Sequence, residues 1–162
     1  MSDEFIPGLR FRSGAHELWA LIAESLQEWE HRANEASSNA GLSAVSAWAL
    51  VQLDPEHPVS QRQLAERLHC DPSTVVDPTD RLERSGMVVR RPNPADRRVN
   101  VLTLTDRGKA VRNELLARMF EPPPALRRLS AEDQARFRDV MLGVVGRRKR
   151  AKPAPRRSRS AG

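Results

Sequence analysis

The chain has 162 residues, 30% charged and 39% hydrophobic, with a formal net charge of +6, a size and balance that fit one helical, surface-rich domain. A single cysteine, Cys70, excludes an internal disulfide framework. The acidic start Met1-Ser2-Asp3-Glu4 lacks the apolar core of a secretory signal, and the longest apolar run, Val140–Gly146, is far short of a membrane span; a cytoplasmic location with no membrane partner is expected.

Residues 1–14 read as an irregular arm with Pro7, Gly8 and Gly14. Leu18, Leu21, Ile22, Leu26, Trp29 and Ala33 then recur at intervals of three and four, the stripe of an amphipathic helix ending near Gly41. A second helix runs from Ser43 to Leu53 and stops before Pro55 and Pro58. Ser60-Gln61-Arg62-Gln63 has the form of a capping box, in which hydroxyl and amide each satisfy a free backbone N–H. Leu64, Ala65 and Leu68 give that helix its apolar side. After a three-residue break, Asp71-Pro72 restarts the helix with an N-cap and a first-turn proline, and Gly86 stops it.

Within that helix Pro78 removes a backbone donor and clashes with the preceding turn, at about 3 kcal/mol in a helix interior. A kink or break near residue 77 is therefore predicted. The segment 71–83 also sets Asp71, Asp77, Asp80 and Glu83 against Arg81 alone, a charge that repels phosphates.

Met87–Arg91 and Val99–Leu104 read as two strands of a hairpin, joined by the turn residues Pro92-Asn93-Pro94-Ala95-Asp96. Thr105 caps a helix carrying Val111, Leu115 and Met119, which Pro122-Pro123-Pro124 ends. Ser130 opens the last helix, with Phe137, Val140, Met141, Val144 and Val145 on one face. Residues 147–162 hold eight basic and no acidic residues, and read as a disordered tail, either simply solvated or attracting phosphates without regard to sequence. Residues 1–54 hold three basic and eight acidic residues, so the basic surplus of the chain lies in the tail and around the hairpin.

Helix, tight turn, helix and hairpin make a winged helix-turn-helix. The fold class expected is mainly α with a small β-hairpin wing: a DNA-binding lobe at about 43–104, and a helical dimerisation lobe from about 15–40 and 105–146. A second helix in this arrangement offers side chains to the major groove, and a wing offers cations to phosphates or the minor groove. Arg84, Arg90, Arg91, Arg97 and Arg98 lie within fifteen residues of one another, opposed by Asp96.

Residues 60–108 resemble the DNA-binding lobe of MarR-type transcriptional regulators. The resemblance rests on Leu64-Ala65-Glu66-Arg67-Leu68, Asp80-Arg81-Leu82-Glu83, Gly86 with Arg90-Arg91, Asp96-Arg97-Arg98, and Leu104-Thr105 followed by Gly108. It implies a homodimer with interleaved first and last helices on double-stranded DNA, at a pseudo-palindromic operator, released by a small-molecule effector. It assigns a minor-groove role to Arg98, which Asp96 would orient unless it caps the turn. Arg90, Arg91 and Arg97 become phosphate contacts, Ser73 and Thr74 face phosphates or bases, and Arg81 and Arg84 complete the expected DNA surface. Trp19 and Trp48, with Trp29, either line an effector pocket or pack in the core. Cys70, beside His69, reads as a small buried hydrophobe rather than a sensor.

His16, His31, His57 and His69 show no paired ligand spacing, and neither a phosphate-binding glycine loop nor a nucleophile elbow is present. No cofactor, metal or enzymatic activity is expected. The rival readings are an architectural, weakly specific DNA binder using wing and tail, and a winged helix used for protein contact.

Overall fold

The computed structural model describes residues 6–146, and the basic tail 147–162 lies outside them. Two compact units divide the chain, one ending at Glu121 and the other beginning at Pro122.

In the first unit, α1 (Gly14–Asn39) starts at Ser13, whose hydroxyl accepts from the His16 N–H, and ends where Gly41 turns left-handed at φ 69°. Only Ala36 and Ser37 of this helix are buried. Leu18, Leu21 and Leu26, read from periodicity as a core-facing stripe, are exposed. The helix packs against α5 (Asp106–Met119) and α2 (Ala44–Gln52). α2 is the most deeply buried element, with Ala47, Ala49 and Leu50 fully enclosed.

α3 (Gln61–Leu68) carries the expected capping box, Ser60 and Gln63 each bonding the other's backbone N–H. A left-handed His69 (φ 53°) turns the chain sharply into a 3-10 turn, Pro72–Val75, and then α4 (Val76–Arg84). The expected break in this helix exists, and it falls at Val75–Val76, where 3-10 pairing gives way to α pairing. Pro78 is thereby the third residue of α4. N–H groups in the first turn of a helix have no partner within it, so the proline forfeits little. Asp71 stands at the start of the 3-10 turn but makes no side-chain capping bond.

β2 (Val88–Pro92) and β3 (Asn100–Leu104) form the wing, with Val88 opposite Leu104 and Pro92 opposite Asn100. A third strand, β1 (Val59–Ser60), pairs with β3 on its other edge, giving the order β1-β3-β2. Two residues are too few to show an alternating pattern, which is why β1 was not legible in advance. Leu50, Leu53, Leu64, Val75, Leu82, Val88 and Leu115 close a single core among the helices and the sheet.

Thr105 caps α5 by accepting from the Gly108 N–H, and its hydroxyl donates to the Gly86 carbonyl. This ties the start of α5 to the base of the wing. A Cβ on Gly108 would lie 1.9 Å from the Met87 carbonyl oxygen, so only glycine admits this approach.

In the second unit, Pro124 opens a short helix, α6 (Pro124–Arg128), directly after the prolines expected only to break the chain. α7 (Ala131–Val144) follows, capped by Ser130, and none of its residues is buried. No helix of the described residues is long and apolar enough to cross a membrane. Among the same residues no cluster of three His, Cys, Asp or Glu side chains is placed to hold a metal.

Gly108→Ala is expected to lower unfolding stability by about 2 kcal/mol, because backbone must shift to admit the methyl group. Urea denaturation measures it, and a loss under about 0.5 kcal/mol, the scale of a neutral surface change, would show that the contact yields freely.

Candidate nucleic-acid interface

The surface built by the 3-10 turn, α4 and the wing brings together most of the expected site. Ser73 and Thr74 are exposed on the 3-10 turn. Arg81 and Arg84 are exposed along α4. Arg81 pairs with Asp77 at 2.9 Å, and Arg84 donates to the Asp80 carbonyl at 3.3 Å. Arg91, Arg97 and Arg98 are exposed on the wing.

The tip of the wing is shaped by short polar side chains. Asn93 Oδ1 accepts from the Ala95 N–H, and Asp96 Oδ1 accepts from the Arg98 N–H at 3.0 Å. Asp96 thus bonds the backbone of Arg98 within the turn. The turn closes through Asn93 N–H to Val99 C=O at 2.8 Å. Among the described residues, neither Arg97 nor Arg98 has an ion-pair partner, so both guanidinium groups are open to a phosphate or a base edge.

Arg90 differs from the expectation of a phosphate contact. Its guanidinium is held by Asp80 and Glu83 of α4 and also donates to Thr79 Oγ1, and its backbone N–H donates to Glu83. The side chain is only 23% exposed. Desolvation works to lower its pKa; Asp80 and Glu83 more than offset this and hold the group above its ordinary value. Arg90 sits midway along β2, opposite Leu102, on a strand that packs against α4. It fastens the wing to the helix.

Each of the three acids of α4 has a cationic partner. Asp77 is bound to Arg81, and Asp80 and Glu83 are bound to Arg90. Sequence reasoning missed Asp80, Glu83 and Thr79 as site-shaping residues. The signal available was two acids three apart on one helix face, followed after a glycine stop by an arginine. Thr79 is wholly buried: its hydroxyl donates to the Val75 carbonyl and accepts from Gln61 Nε2 at 2.6 Å. This joins α3, α4 and the wing at one point.

Against the 3-10 turn lies a cavity of about 500 Å³, lined by Trp29, Trp48, Cys70, Val75 and Met119 among others. Trp29 and Trp48 meet edge to face with centroids 5.7 Å apart. Cys70 is partly buried in this wall rather than enclosed in the core. Trp19, expected with Trp48 at such a pocket, is 63% exposed and is not part of the lining. It precedes Trp29 by ten residues, which is about 15 Å along a helix.

A tight helix–turn–helix whose second helix is braced by a two-stranded wing is a winged helix-turn-helix DNA-binding fold. The pattern of the MarR family matches residues 42–99. The HTH-type transcriptional repressor MdtR of Bacillus subtilis (strain 168) is 34% identical over 83 residues, which are 51% of this chain and 54% of that protein. The chain spans about half the length of the curated relatives it matches. A MarR family protein from Bacillus stearothermophilus superposes with a TM-score of 0.73 at 22% identity, covering 85% of this chain and 97% of the other. CouR from Rhodococcus jostii RHA1, bound to p-coumaroyl-CoA, superposes at 0.62 with 25% identity, covering 87% and 100%. Residues 42–99 are thus similar to the MarR family, and the fold of the described residues is the winged helix-turn-helix fold of its solved members.

Arg90→Met is expected to lower stability by about 1 kcal/mol, since it strands two partly exposed carboxylates. Arg98→Met is expected to change it by less than about 0.5 kcal/mol, as for any unpaired surface side chain. Thermal unfolding of both variants compares them directly, and equal midpoints would deny Arg90 its fastening role.

Proposed function

We propose that the chain is a transcriptional repressor that binds a pseudo-palindromic operator as a homodimer and is released by a small molecule. One observation carries this reading: the wing presents Arg97 and Arg98 without ion-pair partners among the described residues, beside an α4 whose three acids are already paired, in a MarR-like frame. Arg98 enters the minor groove from the wing tip. Arg91 and Arg97 contact phosphates, and Ser73, Thr74, Arg81 and Arg84 face the major groove from the 3-10 turn and α4. Likeness to MdtR, a repressor by name, supports the direction of control.

A homodimer is supported by apolar surface that each unit leaves uncovered. α1 exposes Leu18, Trp19, Leu21 and Leu26, and α7 exposes Phe137, Val140, Val144 and Val145. Apolar faces of this extent mark interaction surfaces, and a second copy supplies the apolar partner that each lacks.

Release by a ligand is supported by the cavity, which touches α1 at Trp29, α5 at Met119 and the 3-10 turn at Val75. A ligand there that prefers one setting of α4 shifts the population toward or away from DNA. The neighbour CouR carries a bound small molecule, p-coumaroyl-CoA.

The basic tail favours a second reading, sequence-independent binding, because eight cations attract any duplex. Binding to a selected palindrome and to random duplex across a salt series decides between the two. The regulator keeps its preference when the chain ends at residue 146, with a shallower salt slope on both DNAs. An architectural protein loses most binding and shows no preference. Arg98→Ala is expected to weaken the specific complex by about 1–3 kcal/mol; unchanged affinity would remove the wing from the interface. Val140→Asp, on the exposed face of α7, is expected to convert dimer to monomer in sedimentation, and a monomeric native protein would overturn the dimer itself.

A further inference from the structure

The cavity beside the 3-10 turn has a charge bias that narrows what it accepts. Its wall is mostly apolar, with two indoles in edge-to-face contact. Its polar groups are Asn34, Ser37, Thr74 and the Cys70 thiol, all uncharged or weakly polar, and one carboxylate, Glu30. Among the described residues, no lysine, arginine or histidine lines it. A carboxylate or phosphate brought into such a wall loses water and meets no cation, which is costly. A cation meets the electron-rich faces of tryptophan, the best side chain for this contact, and an opposite charge at Glu30. Glu30 is exposed, so the attraction acts at the rim while the apolar body of the ligand fills the interior.

We propose that this cavity selects an apolar organic cation and discriminates against aromatic carboxylates of the same shape. The inference rests on the reading of the cavity as an effector site and adds the ligand's chemical class. Cys70 stands in the wall, and as the single cysteine of the chain it reports on occupancy.

Three probes of one shape test the proposal on the full chain: (2-naphthylmethyl)trimethylammonium, 2-naphthylmethanol and 2-naphthoate, titrated by calorimetry at neutral pH. The cation is expected to bind most tightly, the alcohol next and the carboxylate weakest, with about tenfold between the ends, the scale of a partly desolvated cation–π and charge contact. Glu30→Gln is expected to weaken the cation several-fold and leave the alcohol unchanged. Saturating cation is expected to slow alkylation of Cys70. A carboxylate that binds as well as the cation overturns the proposal. So does cation binding that is indifferent to Glu30→Gln or that leaves Cys70 unprotected. Binding of none of the three overturns the cavity reading as well. Operator release is measured separately: the expected order of affinity without release upholds the ligand class and removes the effector role.

Discussion

The grip of Asp80 and Glu83 on Arg90 is the contact on which the DNA-facing surface depends. α4 and the wing are joined by a short turn at Ser85-Gly86, and a turn alone does not fix their angle. Two carboxylates one helical turn apart hold the planar fork of a single arginine, a geometry that lysine does not match. The backbone N–H of Arg90 adds a bond to the same glutamate. Because the side chain is mostly buried, this interaction is less screened than a surface pair. It sets where α4 stands relative to the wing tip, the two elements of the proposed DNA interface.

That grip also organises the electrostatics. Three acids of α4 are neutralised within the fold by Arg81 and Arg90. Arg97 and Arg98, which have no ion-pair partner among the described residues, lie at the far end of the hairpin on a turn built by Asn93 and Asp96. A helix with an acidic composition thus leaves an interface whose outward charge is positive at the wing. Counting charges along the segment gives the opposite impression because it ignores which pairs close on themselves.

The start of α4 is the second point of control. The chain passes from a left-handed His69 through a 3-10 turn into α4, with Val75 buried on one side and Thr79 buried beneath it. Val75 also forms part of the cavity wall with Trp29 and Trp48. A movement of those indoles therefore bears on the segment that positions Ser73 and Thr74. A 3-10 stretch within a helix often marks a hinge, which suits this junction to the proposed coupling between the cavity and DNA.

The sequence alone determined the element order, the capping box of α3, the glycine stop of α4, the hairpin and the Thr105 cap. All of these are local, set by residues within a few positions of one another. It also marked the break near Pro78 and the wing arginines, since proline chemistry and charge clusters are visible without a fold. What only the tertiary structure decided is how distant residues pair. Arg90 turned inward because β2 lies against α4. The leucines of α1 stay outside because the first unit has too little surface to cover a 26-residue helix. Trp29 rather than Trp19 reached the cavity because α2 crosses α1 near its end. Periodicity shows that a face is apolar, but it carries no information on which neighbour covers it, and that depends on contacts between residues far apart in the chain.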